Sequence, residues 1–323
     1  LAADESTPTC TKRFDSIGIE SNALNRNKYR DLLFTTNGIE EFISGVILYD
    51  ETLRQGTISE GESFSDYLTS INIISGIKVD MGAKDLALHS NEKITEGLDG
   101  LHNRIEEYYN LGARFAKWRA VITIGEDIPT NACISANAHA LARYAAICQQ
   151  ANIVPIVEPE ILMDGKHNIE KCKEVSEITL NKVFDELDSQ NICLEGIVLK
   201  PNMVISGVDC INQASVEEVA EKTVECLLKT VPENVPGCAF LSGGQSNEDA
   251  SAHLNTMNLK YGDSVPWNLT FSYGRALQSP ALKTWSGKDE NIPEAQNKFY
   301  HRAKCNSLAA IGKYSNELEE TIL

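Results

Sequence analysis

The chain has 323 residues, of which 42% are hydrophobic and 23% are charged, the composition of an ordinary globular protein. Lysine and arginine together number 29 and aspartate and glutamate 46, so the formal net charge is −17. This excess of acid argues against a broad cationic surface, and we expect no nucleic-acid partner. Taken alone, it also argues against an anionic substrate.

No apolar run approaches the ~20 residues that a membrane-spanning helix needs, and no signal-peptide pattern opens the chain. We therefore expect a protein that does not span a membrane. The nine cysteines are odd in number and include no C-x-x-C pair, which argues against a disulfide framework and against a zinc knuckle. This cysteine usage favours a cytoplasmic location. Because Leu1 already lies in an apparent strand, we expect a short segment to precede it.

Eight apolar runs of strand length recur along the chain, and longer segments with helical periodicity lie between them. The predicted strands are 1–4, 43–50, 75–80, 115–122, 153–160, 195–200, 238–243 and 268–274. This alternation implies parallel strands joined by crossover helices.

One predicted helix has a clear beginning. Ser215 and Glu218 form a capping-box pattern in front of an apolar stripe at helical spacing. The exposed face of the same helix carries the oppositely charged pairs Glu218–Lys222 and Glu225–Lys229 at the spacing i, i+4. We expect these pairs to form within the helix.

Further helices are predicted within 138–150 and after Ser246. Eight strand–helix units in a chain of this length predict one α/β domain over 1–323, a (β/α)8 TIM barrel, since ~250 residues is typical of that fold. The alternative is an open doubly wound sheet. It is less favoured because no G-x-G-x-x-G follows an early strand and no P-loop motif occurs.

A barrel carries its catalytic groups at the carboxyl ends of its strands, and ionisable or glycine-rich segments lie there in this chain. They are Asp4, Asp50, Glu51, Lys78, Asp80, Lys117, Arg119, Glu158, Glu160 and Lys200, followed by the turns at 242–244 and 272–275. On three strands the charged residues stand two apart and so share a face. For any one strand, the alternative is an ion pair that only stabilises the barrel. The convergence of three such pairs and Lys200 on one barrel mouth favours a functional site.

Lys200 ends an otherwise apolar strand, where an ammonium is poorly solvated and lies near other cations. The neutral amine favoured there can attack a carbonyl and form a Schiff base. A simply solvated lysine is the alternative. Glu158 and Glu160 are suited to proton transfer and to balancing the lysine charges.

The glycine turns after the last two strands offer backbone N–H groups to an anion, and Arg275 adds a guanidinium. No metal is expected, because the six histidines include no H-x-H or H-E-x-x-H and none ends a strand. The residues therefore predict a metal-free barrel enzyme that uses a lysine Schiff base on a phosphorylated carbonyl compound.

Seven strings of residues resemble class I fructose-bisphosphate aldolases, and the similarity extends from Leu1 to about Tyr314. They are LAADEST at 1–7, GIKVD at 76–80, FAKWR at 115–119, IVPIVEPEIL at 153–162, LEGIVLKPNM at 194–203, FLSGGQS at 240–246 and LTFSYGRAL at 269–277.

The resemblance implies a reversible cleavage of fructose 1,6-bisphosphate. Lys200 matches the lysine that attacks the C2 ketone, and Glu158 matches the acid/base carboxylate that forms and hydrolyses the imine. Asp4 matches the base that takes the C4 hydroxyl proton while the C3–C4 bond breaks. The protonated imine is the electron sink, so no cofactor is needed, and glyceraldehyde 3-phosphate leaves before dihydroxyacetone phosphate.

The resemblance also implies further site residues. Lys78 and Lys117 match active-site cations; Glu160, Arg119, Arg13 and Arg26 match polar residues around them; Ser242, Gly243, Gly244, Ser272, Gly274 and Arg275 match phosphate-binding turns; and Ser6 lies near the other phosphate.

The family is usually a cytosolic homotetramer of glycolysis and gluconeogenesis, and some members bind actin or other cytoskeletal partners. A scaffold role is therefore one alternative, and a related Schiff-base enzyme such as a transaldolase or deoxyribose-phosphate aldolase is another.

The chain departs from the family pattern in two places. Ser6-Thr7-Pro8-Thr9 replaces Ser-Thr-Gly-Ser, which leaves open whether a second hydroxyl reaches the distal phosphate. Leu323 also comes before the position of the family's tail tyrosine, which helps to protonate the enamine, so we expect either a tail beyond Leu323 or another route for that step. Because the cations gather at strand ends while acid is spread over helices and loops, we expect an acidic exterior and a basic barrel mouth.

Overall fold

The computed structural model describes residues 1–320, and its centre is one eight-stranded parallel sheet with a separate two-stranded hairpin. The strands are β1 (Ala2–Ala3), β2 (Gly45–Leu48), β3 (Ile74–Lys78), β4 (Ala83–Asp85), β5 (Lys93–Thr95), β6 (Phe115–Ile122), β7 (Val154–Ile161), β8 (Val198–Leu199), β9 (Gly237–Phe240) and β10 (Asn268–Phe271). Strands β4 and β5 form the antiparallel hairpin, and the other eight follow one another in chain order.

The sheet closes on itself. The backbone N–H of Ala2 donates to the carbonyl of Tyr273 at 2.9 Å, which joins the first strand to the segment that follows the last one. Each neighbouring pair in the sheet is parallel, so every connection crosses over. The predicted (β/α)8 barrel is therefore confirmed over the open doubly wound alternative.

Helices fill the connections between the strands. They are α1 (Thr7–Asp15), α2 (Ala23–Phe34), α3 (Asp50–Leu53), α4 (Phe64–Ser70), α5 (Leu101–Asn110), α6 (Asn131–Gln150), α7 (Ile169–Ser189), α8 (Val216–Thr230), α9 (Asn247–Tyr261), α10 (Arg275–Trp285), α11 (Ile292–Ala309) and α12 (Glu317–Glu320). Among residues 1–320 no helix combines the length and the apolar character that a membrane crossing requires.

Two predicted helix starts are confirmed at atomic detail. The Ser215 hydroxyl accepts from the N–H of Glu218 at 3.2 Å, and the Ser246 hydroxyl accepts from the N–H of Asp249 at 2.9 Å. The helix predicted at 138–150 is α6, which begins earlier because the Thr130 hydroxyl caps it.

Several strands are shorter than predicted. Asp50, expected at a strand end, instead opens α3 and pairs with Arg54 on the surface at 3.0 Å. The predicted strand 195–200 is reduced to β8, because Leu194–Gly196 forms a short 3-10 turn in front of it. The apolar runs therefore predicted where strands lie better than where they end.

The inside of the barrel is apolar at the amino ends of the strands. Ala2, Ile47 and Ile156 pack there with Phe115. Gly76 makes room for the Phe115 ring, since a Cβ at that position would lie 2.1 Å from it. This apolar layer fills the bottom of the barrel and leaves the carboxyl ends of the strands for polar groups.

Candidate active site

Four charged side chains from four strands meet inside the barrel. Asp4 and Lys200 directly follow β1 and β8, whereas Lys117 and Glu158, predicted at strand ends, lie within the longer strands β6 and β7. Lys117 Nζ lies 2.7 Å from Asp4 Oδ2 and 3.3 Å from Glu158 Oε2. Lys200 Nζ lies 3.2 Å from the other oxygen of Glu158. Lys117, Glu158 and Lys200 are each at most 4% exposed. The structure thus brings together four residues that the sequence singled out, Asp4, Lys117, Glu158 and Lys200.

The pKa values of these groups are set by one another. Burial alone would raise the carboxyl pKa of Asp4 and Glu158, but the ammonium groups of Lys117 and Lys200 outweigh it and lower both pKa values. Burial alone would lower the pKa of Lys117, but Asp4 and Glu158 raise it above its usual value. The mutual pKa shifts therefore favour ionised carboxylates beside a charged Lys117.

A second layer of ion pairs surrounds this cluster. Lys78 Nζ contacts Asp80 Oδ1 at 2.7 Å, and Arg119 Nε bonds to Glu160 Oε2. The Asp80 carboxylate also accepts from the backbone N–H of Arg119 at 3.3 Å. Lys78 and Asp80, two residues apart, thus share a face as predicted. The ion pairs of the alternative interpretation do form on these strands, and they form beside the catalytic cluster.

The two turns that the sequence predicts to bind an anion lie at the ends of β9 and β10. Ser242 and Ser272 are each 7% exposed, and Gly243 and Gly244 both have positive φ, which glycine adopts without strain. Arg275 opens α10, and its guanidinium donates to the carbonyl of Gln245.

The guanidinium of Arg275 is only partly balanced by nearby charge, because burial and Arg13 lower its pKa by more than Glu248 raises it. Burial, and then the guanidinium of Arg13, lower the pKa of Arg275. An anion bound between the two turns would offset both the burial and the repulsion. The serines, the free backbone of the glycines and Arg275 are thus suited to a phosphate.

A second polar region begins at Ser6, the N-cap of α1. A cavity of about 490 Å³ extends from Ser6 and Pro8 to Lys78 and Asp80. The hydroxyl of Thr9 lies 3.1 Å from that of Ser6. Thr9 is exposed and is not among the residues that line this cavity, so a second hydroxyl contact to the distal phosphate stays open.

Two predicted arginines are engaged by carboxylates. Arg13 pairs with Glu5, and Arg26 makes a bidentate pair with Glu51 at 2.9 and 2.8 Å. Gly274, the N-cap of α10, lies beside the barrel seam, since a Cβ there would be 3.2 Å from the Ala2 carbonyl. Contact of these three residues with substrate stays a prediction.

Sequence reasoning missed a buried network directly behind Asp4. Glu5 pairs with Arg30 at 2.6 Å, and the amide of Gln278 donates to Glu5 at 3.0 Å and to the Ala2 carbonyl at 2.6 Å. A charged residue next to Asp4 and an arginine within helix α2 were the available signals. Gln278, the partner of Glu5 on α10, gave no signal in the sequence, because it lies 273 residues from Glu5 along the chain.

Comparison with known proteins identifies the family. The model of class-I fructose-bisphosphate aldolase matches residues 1–322. A probable class 1 fructose-bisphosphate aldolase of Xanthomonas axonopodis pv. citri is 58% identical over 316 residues, 97% of this chain and 93% of that protein. The cytoplasmic isozyme of Spinacia oleracea is 52% identical over 314 residues, 97% of this chain and 87% of that one.

A solved structure agrees with this result. Fructose-bisphosphate aldolase from Plasmodium falciparum, in complex with TRAP and a small molecule inhibitor, has a TM-score of 0.95 and 51% identity, covering 98% of this chain and 91% of its own. The chain therefore belongs to the class I fructose-bisphosphate aldolase family, whose activity is the reversible, metal-independent aldol cleavage of fructose 1,6-bisphosphate.

Proposed function

We propose that Lys200 is the nucleophile of this aldolase and that Glu158 moves the protons of imine formation. The observation that carries the proposal is the 3.2 Å contact between Lys200 Nζ and Glu158 Oε1 in a buried mouth. Glu158 takes a proton from the ammonium, and the free amine attacks C2 of the ketose. Returning that proton to the C2 hydroxyl lets it leave as water, which produces the protonated imine.

Asp4 is the proposed base for carbon–carbon cleavage. Its carboxylate is ionised and held at 2.7 Å from Lys117. It takes the proton of the C4 hydroxyl, the C3–C4 bond breaks, and the electron pair moves to the imine nitrogen as an enamine. Glyceraldehyde 3-phosphate leaves first, and protonation and hydrolysis of the enamine release dihydroxyacetone phosphate.

The remaining site residues are proposed to hold the two phosphates. The turns at 242–244 and 272–275 bind the phosphate nearer to Lys200, because they combine buried hydroxyls with Arg275. Ser6 and Lys78 bind the distal phosphate, because both line the cavity beside α1. Glu160 and Arg119 keep the mouth ordered through their ion pair.

We also propose a cytoplasmic homotetramer that acts in glycolysis and gluconeogenesis. The name of the spinach relative places that enzyme in the cytoplasm, which supports the location. The complex with TRAP is a property of the Plasmodium protein. Binding of actin or other cytoskeletal partners by this chain stays a prediction without a structural observation in its favour.

Trapping with borohydride tests the nucleophile. Reduction in the presence of dihydroxyacetone phosphate is expected to fix the triose on the peptide that contains Lys200, as read by mass spectrometry. Lys200→Met should abolish the adduct, and Lys84→Met, on the exposed hairpin, should keep it. An adduct on Lys117 in the unaltered protein would overturn the assignment.

A further inference from the structure

A cluster of three potential metal ligands lies away from the catalytic strands, where α12 packs on α11. His301 and Cys305 stand one turn apart on α11, and Glu319 reaches them from α12. His301 Nε2 lies 3.6 Å from Cys305 Sγ and 3.4 Å from Glu319 Oε2. The three ligand atoms lie within 4.8 Å of one another, and within residues 1–320 no other group of His, Cys, Asp and Glu meets that criterion.

The two separations from His301 Nε2 are those of a tetrahedral zinc site, and the third pair, Cys305 with Glu319, lies within 4.8 Å. Zinc binds thiolate at about 2.3 Å and imidazole or carboxylate at about 2.0 Å. At a tetrahedral angle those bond lengths place the nitrogen about 3.6 Å from the sulfur and about 3.3 Å from the oxygen. The observed spacings in the cluster agree with both values, so an ion can be bound with little movement of the side chains.

The carboxylate of Glu319 is oriented as a metal ligand would be. Its Oε1 accepts from Arg302 Nη1 and from the Tyr314 hydroxyl, the latter at 2.9 Å, which turns Oε2 toward His301. Arg302 is 2% exposed, and it also donates to the Asn247 carbonyl at 2.8 Å. Hydrogen bonds of this kind to the outer oxygen are what hold a ligating carboxylate in place.

The cluster is open on one side. A cavity of about 200 Å³ is lined by His301 and Glu319 and by the carboxylates of Glu248 and Glu294. Cys305 lies behind them and is 1% exposed. Lys298 and Arg302 also line this cavity, which gives a divalent ion a polar path to the cluster and leaves space for water as the fourth ligand.

We propose that His301, Cys305 and Glu319 form a zinc-binding site that fastens α12 to α11. Nitrogen, sulfur and oxygen ligands in tetrahedral spacing favour Zn²⁺ over Mg²⁺ or Ca²⁺. Binding displaces the thiol proton of Cys305 to solvent and forms the Zn–S bond. The site has a stabilising role, and it is separate from the Schiff-base chemistry, which needs no metal.

The test uses the full-length enzyme after treatment with a chelator. Addition of Zn²⁺ is expected to bind one equivalent by calorimetry and to raise the melting temperature. Co²⁺ in its place should give a thiolate-to-cobalt charge-transfer band. Cys305→Ser should abolish that band, and His301→Gln, which keeps the thiol, should weaken Zn²⁺ binding at least about tenfold.

Cys193→Ser is the matched control, because Cys193 is an exposed thiol 3.4 Å from the carboxylate of Glu195. It should leave the stoichiometry and the band unchanged. Aldolase activity in each variant reports correct folding, since none of these residues is in the catalytic cluster. A band that survives Cys305→Ser, or a chelator-treated enzyme that binds no Zn²⁺, would overturn the proposal and leave a hydrogen-bonded cluster only.

Discussion

At the scale of single residues, Glu158 has two tasks that constrain each other. One oxygen lies 3.2 Å from Lys200 Nζ and the other 3.3 Å from Lys117 Nζ. Its charge separates two buried ammonium groups, and its Oε1 is also the nearest acceptor for the proton that Lys200 must lose. Because Asp4 binds Lys117 as well, Lys117 keeps a counter-ion while Glu158 is protonated. The cluster can therefore carry one mobile proton without exposing an unpaired lysine.

Replacing Glu158 with glutamine separates these tasks. Glu158→Gln preserves the shape of the side chain but cannot accept a proton, so we expect kcat to fall by about 10²- to 10⁴-fold, the usual contribution of a general acid/base. The rate of borohydride trapping with dihydroxyacetone phosphate should fall in parallel, since imine formation is the impaired step. Asp4→Asn is the comparison: it should lose cleavage of the bisphosphate while still forming the trapped adduct. Unimpaired trapping in Glu158→Gln would contradict the role.

The lowered pKa values of Asp4 and Glu158 predict a pH dependence of stability. A carboxylate whose pKa is lower in the folded than in the unfolded chain stabilises the fold fully above the unfolded pKa, about 4. That stabilisation is lost as pH falls through the folded pKa. Urea midpoints measured from about pH 6 to about pH 3 should therefore fall more steeply in the unaltered protein than in Asp4→Asn. Parallel curves would show that the Asp4–Lys117 pair contributes nothing.

At the scale of elements, the apolar runs predicted strands best where both faces are buried. The predicted strand 115–122 matches β6, whose residues are mostly buried. Strand β8 is only two residues long, because only Val198 and Leu199 pair with β7 and only Leu199 pairs with β9. The apolar pattern of 195–200 does not reveal whether its first residues pair with a neighbouring strand or form a turn. That choice depends on whether the neighbouring strand offers hydrogen-bond partners to their backbone groups. Strand ends therefore depend on contacts that no local pattern contains.

The charged face of α8 shows the same limit. The sequence predicts Glu218–Lys222 and Glu225–Lys229 pairs within the helix, and the structure replaces them with pairs to α7. Glu225 accepts from Lys173 at 2.5 Å. The same helix pair brings Lys222 to Glu170 and Lys229 to Glu177. Packing α7 beside α8 thus gives Lys222, Glu225 and Lys229 partners on α7 that are closer than the 3.6 Å pair Lys222–Glu225 within α8.

Two serine caps allow a comparison between neighbouring helices. Ser246 caps α9 directly after the proposed phosphate turn at 242–244, whereas Ser215 caps α8. Either change to alanine should cost about 1 kcal/mol of unfolding free energy, measured by urea denaturation. Only Ser246→Ala should also raise KM for fructose 1,6-bisphosphate, because it loosens the start of α9 behind the turn. Equal KM values in the two variants would argue against contact between this turn and the phosphate.

At the scale of the whole molecule, the net charge of −17 says little about the mouth. The sequence predicts a basic end of the barrel, but the structure shows cations alternating with carboxylates there. Lys117 lies against Asp4, and Lys78 against Asp80. Arg275 differs from these lysines, because its guanidinium donates to the backbone carbonyl of Gln245 and not to a carboxylate. We therefore expect attraction of an anion to depend on a few positions at the ends of β9 and β10 more than on an excess of basic residues.

The closure of the barrel is coupled to the base through Gln278. This side chain is fully buried on α10, accepts from the Tyr29 hydroxyl at 2.9 Å, and donates to the Ala2 carbonyl and to Glu5. It thus fixes the strand segment that ends at Asp4. Gln278→Leu removes the partner of the Tyr29 hydroxyl and a donor to the Ala2 carbonyl, which should lower the unfolding free energy by about 1–3 kcal/mol, while Glu5 keeps its ion pairs with Arg13 and Arg30. Displacement of Asp4 should lower kcat as well.

Gln296→Leu is the matched control, because Gln296 is a half-buried amide that donates to the Leu32 carbonyl at 3.1 Å, away from the seam. It should cost less stability and leave kcat unchanged. Urea denaturation and steady-state cleavage of fructose 1,6-bisphosphate measure both effects on the same preparations. If Gln278→Leu lost stability while keeping full kcat, the seam would hold the barrel closed without positioning Asp4, and the base would depend on Lys117 alone for its place.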